Sequence, residues 1–235
     1  MIRFFDMLWQ PIRQFEFTSP VIDELKFKWL AIKPISTIVF GVPRLRQWLT
    51  QRNINERIME IPFVLGHLPH PPANVLDVGA CESPISLMLA SMGYQVTSLD
   101  LRPYPFSHPN LRVVQGDITA INMPVKYDVV ICLSTLEHIG LPVYGSREIP
   151  GGDFLAIIAI HALLKKKGKL LLTVPAGVTD QFLPKWCIYS PSSLAKLLVR
   201  FSSTNIKYGV KLANQQWTIH SHCAPEAVAL VEATK

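Results

Sequence analysis

The sequence predicts an α/β protein built on an open, doubly wound sheet of seven strands, mostly parallel, with the last strand antiparallel. Three observations carry this. Short apolar runs at 74–79, 95–99, 111–115, 127–133, 169–174 and 206–212 alternate with stretches of helical periodicity, the pattern of successive βα units. The run Tyr127–Leu133 is almost wholly apolar, as expected of a strand buried on both faces. The third is the segment Val75-Leu76-Asp77-Val78-Gly79-Ala80-Cys81-Glu82-Ser83-Pro84, in which a strand ends in an acid and a glycine and turns into a helix. Ligands of such sheets lie at the carboxyl end of a strand of this kind.

Taken in order, residues 1–41 mix aromatic, aliphatic and basic positions, and Pro11, Pro20 and Pro34 divide them into short helical pieces. They read as a helical cap. A membrane-surface contact is the alternative, because Arg3, Arg13, Lys26 and Lys28 flank bulky aromatics. From Pro43 to about Gly66 one or two helices follow, with Ile54, Ile58, Ile61 and Leu65 as one apolar stripe, kinked near Pro62. His67–Pro72, rich in proline, is a linker, so the division falls at 1–72 and 73–235.

After strand one, Ser83 is placed to cap a helix over 84–92, with Ile85, Met88, Leu89 and Met92 on its inner face and Gly93 closing it. Strand two ends at Asp100, and strand three precedes Gly116-Asp117. Asp153 is expected to cap a helix from about Phe154 to Lys166, whose lysines would complement its dipole before Gly168 ends it. Ser190-Pro191 opens another helix, with Leu194, Leu197, Leu198 and Phe201 on one face. The last strand is assigned to Ala227–Ala233 at the sheet edge, with Trp217 in an insertion.

Composition narrows the classes. The chain has 235 residues and a net charge of +6, with a mean hydropathy of +0.25 and a pI near 9.2. The charge is dispersed, with no like-charge run beyond Lys165-Lys166-Lys167, which argues against a dedicated nucleic-acid face. Cys81, Cys132, Cys187 and Cys223 are far apart and read as buried small hydrophobes in a reducing compartment. No secretory leader or bilayer-spanning stretch is read, so a cytoplasmic location is expected. His220, His222 and Cys223 lack a spaced partner, and no metal site is expected.

The turn itself discriminates between ligands. A dinucleotide fingerprint needs three glycines around a pyrophosphate. Here only Gly79 is present, Cys81 and Pro84 stand in the other places, and Glu82 adds negative charge. A ligand with a cationic sulfonium and ammonium suits an acidic turn better. The segment resembles motif I of the class I S-adenosylmethionine (SAM)-dependent methyltransferases, with Cys81 departing from the usual Gly-x-Gly. Asp100, Gly116-Asp117-Ile118 and Leu133-Ser134-Thr135-Leu136-Glu137-His138-Ile139 are similar to later segments of that family, in order and at its spacings, over roughly residues 55–235.

The resemblance implies a Rossmann-like SAM-binding domain over 73–235 and a cap over 1–72. It implies cofactor contacts from Asp77, Gly79, Ala80 and Cys81 at the turn, and from Asp100 and Leu101 toward the ribose. Asp117 and Ile118 would meet the adenine, with Leu133 and Ser134 beside the methyl donor. His138 is the candidate general base, since its ordinary pKa suits proton removal near neutrality, and Glu137 stands next to it. The glycine- and proline-rich stretch Gly140–Gly152 reads as a lid, with Tyr144 and Arg147 as acceptor contacts. Tyr189 is a third candidate contact. The implied reaction is methyl transfer to a small-molecule acceptor, oxygen favoured over nitrogen or carbon, leaving S-adenosylhomocysteine. The segment around Glu137–Asp153 also looks like methyltransferases of glycan and small-molecule tailoring. An NAD(P)-dependent oxidoreductase, a nucleic-acid methyltransferase and a non-catalytic binding module stay as alternatives.

Overall fold

The computed structural model describes residues 55–213 and 216–235. The expectations for residues 1–54, including the aromatic and basic segment and the helix opening at Pro43, lie outside the described residues. Helix α1 (Arg57–His67) leads into strand β1 (Asn74–Val78), a single 3-10 turn (Ala80–Glu82) and helix α2 (Ile85–Ser91). Strands β2 (Gln95–Asp100), β3 (Leu111–Gln115) and β4 (Tyr127–Leu133) follow, then a 3-10 turn (Leu136–His138) and helix α3 (Gly152–Leu163). The rest is β5 (Leu164–Ala176), the short pair β6 (Gln181–Phe182) and β7 (Cys187–Ile188), α4 (Pro191–Leu197), β8 (Ser203–Lys211), β9 (Trp217–His220) and β10 (Ala227–Thr234).

The main sheet has eight strands in the order β3-β2-β1-β4-β5-β10-β8-β9. The five strands β3, β2, β1, β4 and β5 run parallel, while β10 is antiparallel to both β5 and β8. Two expectations are corrected here. Ala227–Thr234 is antiparallel but lies inside the sheet, between β5 and β8, where Ala229, Leu230, Val231 and Ala233 are buried. Trp217 belongs to an eighth strand, β9, which pairs with β8 and forms the edge. An apolar strand with both ladders satisfied is the better interior element, and the short, partly exposed Trp-Thr-Ile-His is the better edge.

Two apolar layers cover the sheet. On one face Leu76, Val130, Cys132, Leu170 and Leu172 pack with Ile157 and Ile160 of α3 and Leu194 and Leu197 of α4. On the other, Val75, Val129, Ile131 and Leu171 pack with Ile85 and Leu89 of α2 and Val64 of α1. Alternate residues of β4 and β5 thus face opposite layers, and both sets are apolar because both faces are covered.

The helices depart from their predicted faces. In α2, Ile85 and Leu89 are buried as expected, but Met92 lies beyond the helix and is exposed, and Ser86 is buried in its stead. In α1 the buried face is Glu60 and Val64, and Ile58 and Leu65 of the expected stripe are exposed. Helix α3 ends at Leu163, and Lys165 and Lys166 lie in β5, where Leu164 pairs with Tyr127 across a register shift. Its terminal carbonyls are met by distant cations: Lys126 Nζ donates to Ala162 O at 2.9 Å, and Lys235 Nζ donates to His161 O at 2.7 Å. Asp153 sits in the first turn of α3, and the preceding cap residue is the left-handed Gly151. His67, assigned to the linker, is the last residue of α1 and bonds through Nδ1 to Phe63 O at 2.7 Å.

Because Leu171 packs at the centre of the α1–α2 layer and is wholly buried, Leu171→Ala is expected to cost about 2–5 kcal/mol of stability. Ile219→Ala, on the exposed edge strand, should cost less than about 0.5 kcal/mol. Chemical denaturation of both variants measures the difference.

Candidate functional site

The site is built where β2, β1 and β4 end side by side. After β1 the chain reverses at Gly79, which has φ +79°. A Cβ at this position would overlap the Thr135 side chain that follows β4, so the turn needs glycine both for its backbone and for its space. Ser83, in extended conformation, accepts the Ile85 N–H through Oγ at 3.3 Å as α2 begins.

Asp77, one residue before the end of β1, is buried and accepts the Ser86 hydroxyl at 2.7 Å. Burial pushes its carboxyl up to about 6, against the Ser86 hydrogen bond that pulls it down. Asp100 ends β2 and is also buried. Its Oδ2 accepts the Cys81 N–H at 2.9 Å, and its Oδ1 accepts the Arg102 N–H at 2.9 Å and Arg102 Nε at 3.3 Å. The turn after β1 and the end of β2 are therefore held together through one carboxylate. Leu101, next along, is exposed. Asp117, past β3, accepts the Thr119 N–H and hydroxyl, each at 2.8 Å, while Ile118 is buried in the α3-side core. Ala80 and Leu133 are buried.

The segment after β4 carries the reactive groups. Ser134 has φ +43°, rare for a residue with a side chain, and such strain clusters at functional sites. Its N–H donates to Thr173 O at 3.0 Å and its hydroxyl to Glu60 Oε1 at 2.5 Å. Glu60 also accepts the Thr173 hydroxyl at 2.5 Å and Arg57 at 2.9 Å, so a buried acid of α1 ties the ends of β4 and β5 together. Sequence reasoning missed Glu60, Arg57 and Thr173. The available signal was an acid on the same helical face as Val64, with an arginine three residues before it.

Glu137 is buried, and its Oε2 has no hydrogen-bond partner. Burial raises its pKa well above the ordinary carboxyl value, with Glu60 adding to the effect. His138 Nδ1 lies 2.6 Å from Lys185 O. A carbonyl only accepts, so Nδ1 carries the proton and Nε2 is left as the basic nitrogen, 4.0 Å from Glu137 Oε1.

The loop beyond is pinched at its neck, where Gly140 and Gly152 touch backbone to backbone and Ile149 N–H donates to Gly140 O at 2.9 Å. At its tip Tyr144, with φ +54°, sets its ring edge-on against His138 at 5.4 Å and lies under the Arg102 guanidinium at 4.5 Å. Arg147 is exposed on the same loop. Tyr189, past β7, is buried, its hydroxyl donates to Asp153 Oδ2 at 3.1 Å, and burial raises its pKa, with the charges of Asp153 and Glu137 adding to the effect. With Phe154, Phe182, Ile188 and Leu197 it lines a cleft of about 190 Å³. Among the described residues no group of three or more His, Cys, Asp or Glu side chains is placed to hold a metal.

Solved structures with a similar fold include the 1,6-didemethyltoxoflavin-N1-methyltransferase of Burkholderia thailandensis, bound to 1,6-didemethyltoxoflavin and S-adenosylhomocysteine. It superposes with a TM-score of 0.59 at 18% identity, covering 85% of this chain and 86% of that one. The N-methyltransferase NodS of Bradyrhizobium japonicum, in complex with S-adenosylhomocysteine, gives 0.54 at 13% identity, over 80% and 91% of the two chains.

The fold is that of the class I SAM-dependent methyltransferases.

Within this methyltransferase fold, similar curated sequences include the ubiquinone biosynthesis O-methyltransferase of Xanthomonas campestris pv. campestris, 30% identical over 127 residues, 49% of this chain and 48% of that protein. The mitochondrial enzyme of the same name from Schizosaccharomyces pombe is 26% identical over 111 residues, 42% of this chain and 36% of that protein. The chain thus spans about half or less of the length of these curated relatives. A family model described as "Caenorhabditis protein of unknown function, DUF268" matches residues 119–223, the part that carries the Glu137–His138 segment and the Gly140–Gly152 loop.

The Asp77 carboxyl yields a test of the site's electrostatics. Its pKa is about 6 in the folded chain against 3.8 for an ordinary aspartate. Between those values the folded state holds more protons than the unfolded one, so this group's contribution to stability falls as pH rises from about 4 to 6. Asp77→Asn removes that penalty. The variant is expected to gain on the order of 3 kcal/mol over wild type at neutral pH, with the advantage vanishing near pH 4, in denaturant titrations at both pH values.

Proposed function

We propose that the chain is a SAM-dependent methyltransferase that methylates a small molecule, with a hydroxyl oxygen as the favoured acceptor atom. The observation that carries this is the Gly79–Asp100–His138 arrangement. A turn free of side chain, a buried acid and an imidazole with Nε2 left basic line the carboxyl ends of β1, β2 and β4. The residues fit SAM: two buried acids and the unpartnered Glu137 oxygen favour a cationic ligand. That ligand, when bound, supplies an electrophilic methyl group on a sulfonium.

In this reading Asp100 receives the ribose hydroxyls, with Leu101 beside them, and Asp117 and Ile118 meet the adenine. Asp77, Gly79, Ala80, Cys81, Leu133 and Ser134 surround the methionine part. His138 takes the acceptor's proton on Nε2, with the Lys185 carbonyl fixing its tautomer, and the positive charge then formed favours ionisation of Glu137 beside it, which burial otherwise opposes. Tyr144, Arg147 and Tyr189 contact the acceptor. A cytoplasmic location belongs to the same proposal; no helix among the described residues is long and apolar enough to cross a membrane. The O-methyltransferase relatives support oxygen as acceptor, and the N-methyltransferase structures keep nitrogen in play.

Release of S-adenosylhomocysteine, followed over a panel of phenols, alcohols and amines, tests the activity; turnover with amines alone would move the acceptor to nitrogen. Asp100→Ala is expected to weaken SAM binding by about 1–3 kcal/mol in calorimetry, and unchanged affinity would remove it from the ribose. His138→Ala should lower turnover by roughly 10²–10⁴-fold while leaving SAM affinity within about twofold, and a full-rate variant would exclude it as base.

A further inference from the structure

The loop after β4 reaches back over the sheet. In the strand order β2 and β4 flank β1, so any contact between the segments that follow them crosses the carboxyl end of β1. Arg102, two residues past β2, and Tyr144, in the loop past β4, make such a contact, with the guanidinium 4.5 Å from the ring centroid. Each end is anchored. Arg102 Nε reaches Asp100 Oδ1 at 3.3 Å, and the Tyr144 ring stands edge-on to His138 at 5.4 Å. Below this line lie the Gly79 turn and the Cys81 N–H bonded to Asp100.

We infer that Arg102 and Tyr144 form a strap that gates the crevice at the end of β1, so that a nucleoside ligand enters and leaves only when the pair parts. The inference rests on the proposed methyltransferase reading for the identity of that ligand, and on the topology alone for the strap itself. Three features suit a gate. Tyr144 is 49% exposed, so solvent reaches its ring. A cation–π contact at the surface is weak and breaks readily. The pinched neck at Gly140 and Gly152 holds the base of the loop while its tip, carried on the left-handed Tyr144 and Gly145, is free of regular structure.

Arg102 has a second part in this. Its N–H and Nε both bond Asp100 Oδ1, at 2.9 and 3.3 Å, which ties the strap to the acid that receives the ribose hydroxyls in the proposed complex. The gate is thereby coupled to the site it covers. Tyr144, read from sequence as an acceptor contact, acts here on cofactor exchange.

The test compares wild type, Tyr144→Leu and Tyr144→Phe. Stopped-flow measurement of S-adenosylhomocysteine should show Tyr144→Leu raising association and release together by about fivefold, the scale of a lost surface cation–π contact, with Kd changed less than about twofold. Tyr144→Phe, which keeps the ring, should match wild type. A loss confined to the release rate would make Tyr144 an ordinary ligand contact and overturn the gate, as would unchanged rates. Amide hydrogen exchange in the ligand-free chain separates the two proposals. Faster exchange at Cys81 in Tyr144→Leu, with Leu171 unaffected, supports the strap even if no variant binds S-adenosylhomocysteine, a result that would refute the methyltransferase reading instead. Equal exchange at Cys81 in all three chains overturns the strap.

Discussion

The close approach of Gly79 to Thr135 is the constraint from which the rest of the site follows. Strand β1 is followed by the left-handed Gly79, and the space where its side chain would stand is filled by the Thr135 side chain, two residues past β4. With the two chain segments in contact, the Cys81 N–H is presented to Asp100 on one side, and Ser134 turns toward Glu60 on the other. A Cβ at Gly79 would overlap the Thr135 side chain, two residues before Glu137, so one of the two segments would have to shift. A backbone requirement at one position thus sets the geometry of groups from four elements.

The charge around this turn explains what kind of ligand it favours. Asp77, Asp100, Glu60 and Glu137 are all buried within or beside it, against Arg57 and Arg102. Burial of so many acids is costly unless donors or cations meet them. Ser86, Cys81, Thr173 and the two arginines meet three of the four, and Glu137 keeps one oxygen unmatched. A pyrophosphate would be repelled by Asp100 and Glu60, while a sulfonium with an ammonium would be attracted to them and would favour the ionised forms of Asp77 and Glu137, which burial disfavours. In the folded chain, acids from α1, β1, β2 and the segment after β4 gather at this turn.

How much of this was legible in the sequence depends on whether local or distant contacts decide an element. Strand β1, its glycine turn, Asp100 at the end of β2 and the all-apolar β4 are written in short contiguous patterns, and the fold class follows from them. Lys165–Lys167 misled because a cationic tail is a good helix end. The structure carries the chain straight into β5, since Leu164 finds a ladder partner in Tyr127 and Lys126 and Lys235 supply cations to the end of α3. The place of β10 inside the sheet was hidden for a similar reason: β8 and β9 lie beyond it, although they precede it in the chain. Glu60 was invisible because an acid in a helix ordinarily faces water, and its partners Ser134 and Thr173 are far away in sequence.

One measurement bears on the central claim, that the carboxyl end of β1 binds an adenosyl ligand whose sulfur chemistry suits an acidic site. Thermal melting of the purified chain with SAM, S-adenosylhomocysteine or NAD, each at about 1 mM, reads binding as an upward shift in Tm. The account predicts stabilisation by both adenosyl compounds, lost in Gly79→Val, and none by NAD. Stabilisation by NAD alone would contradict it.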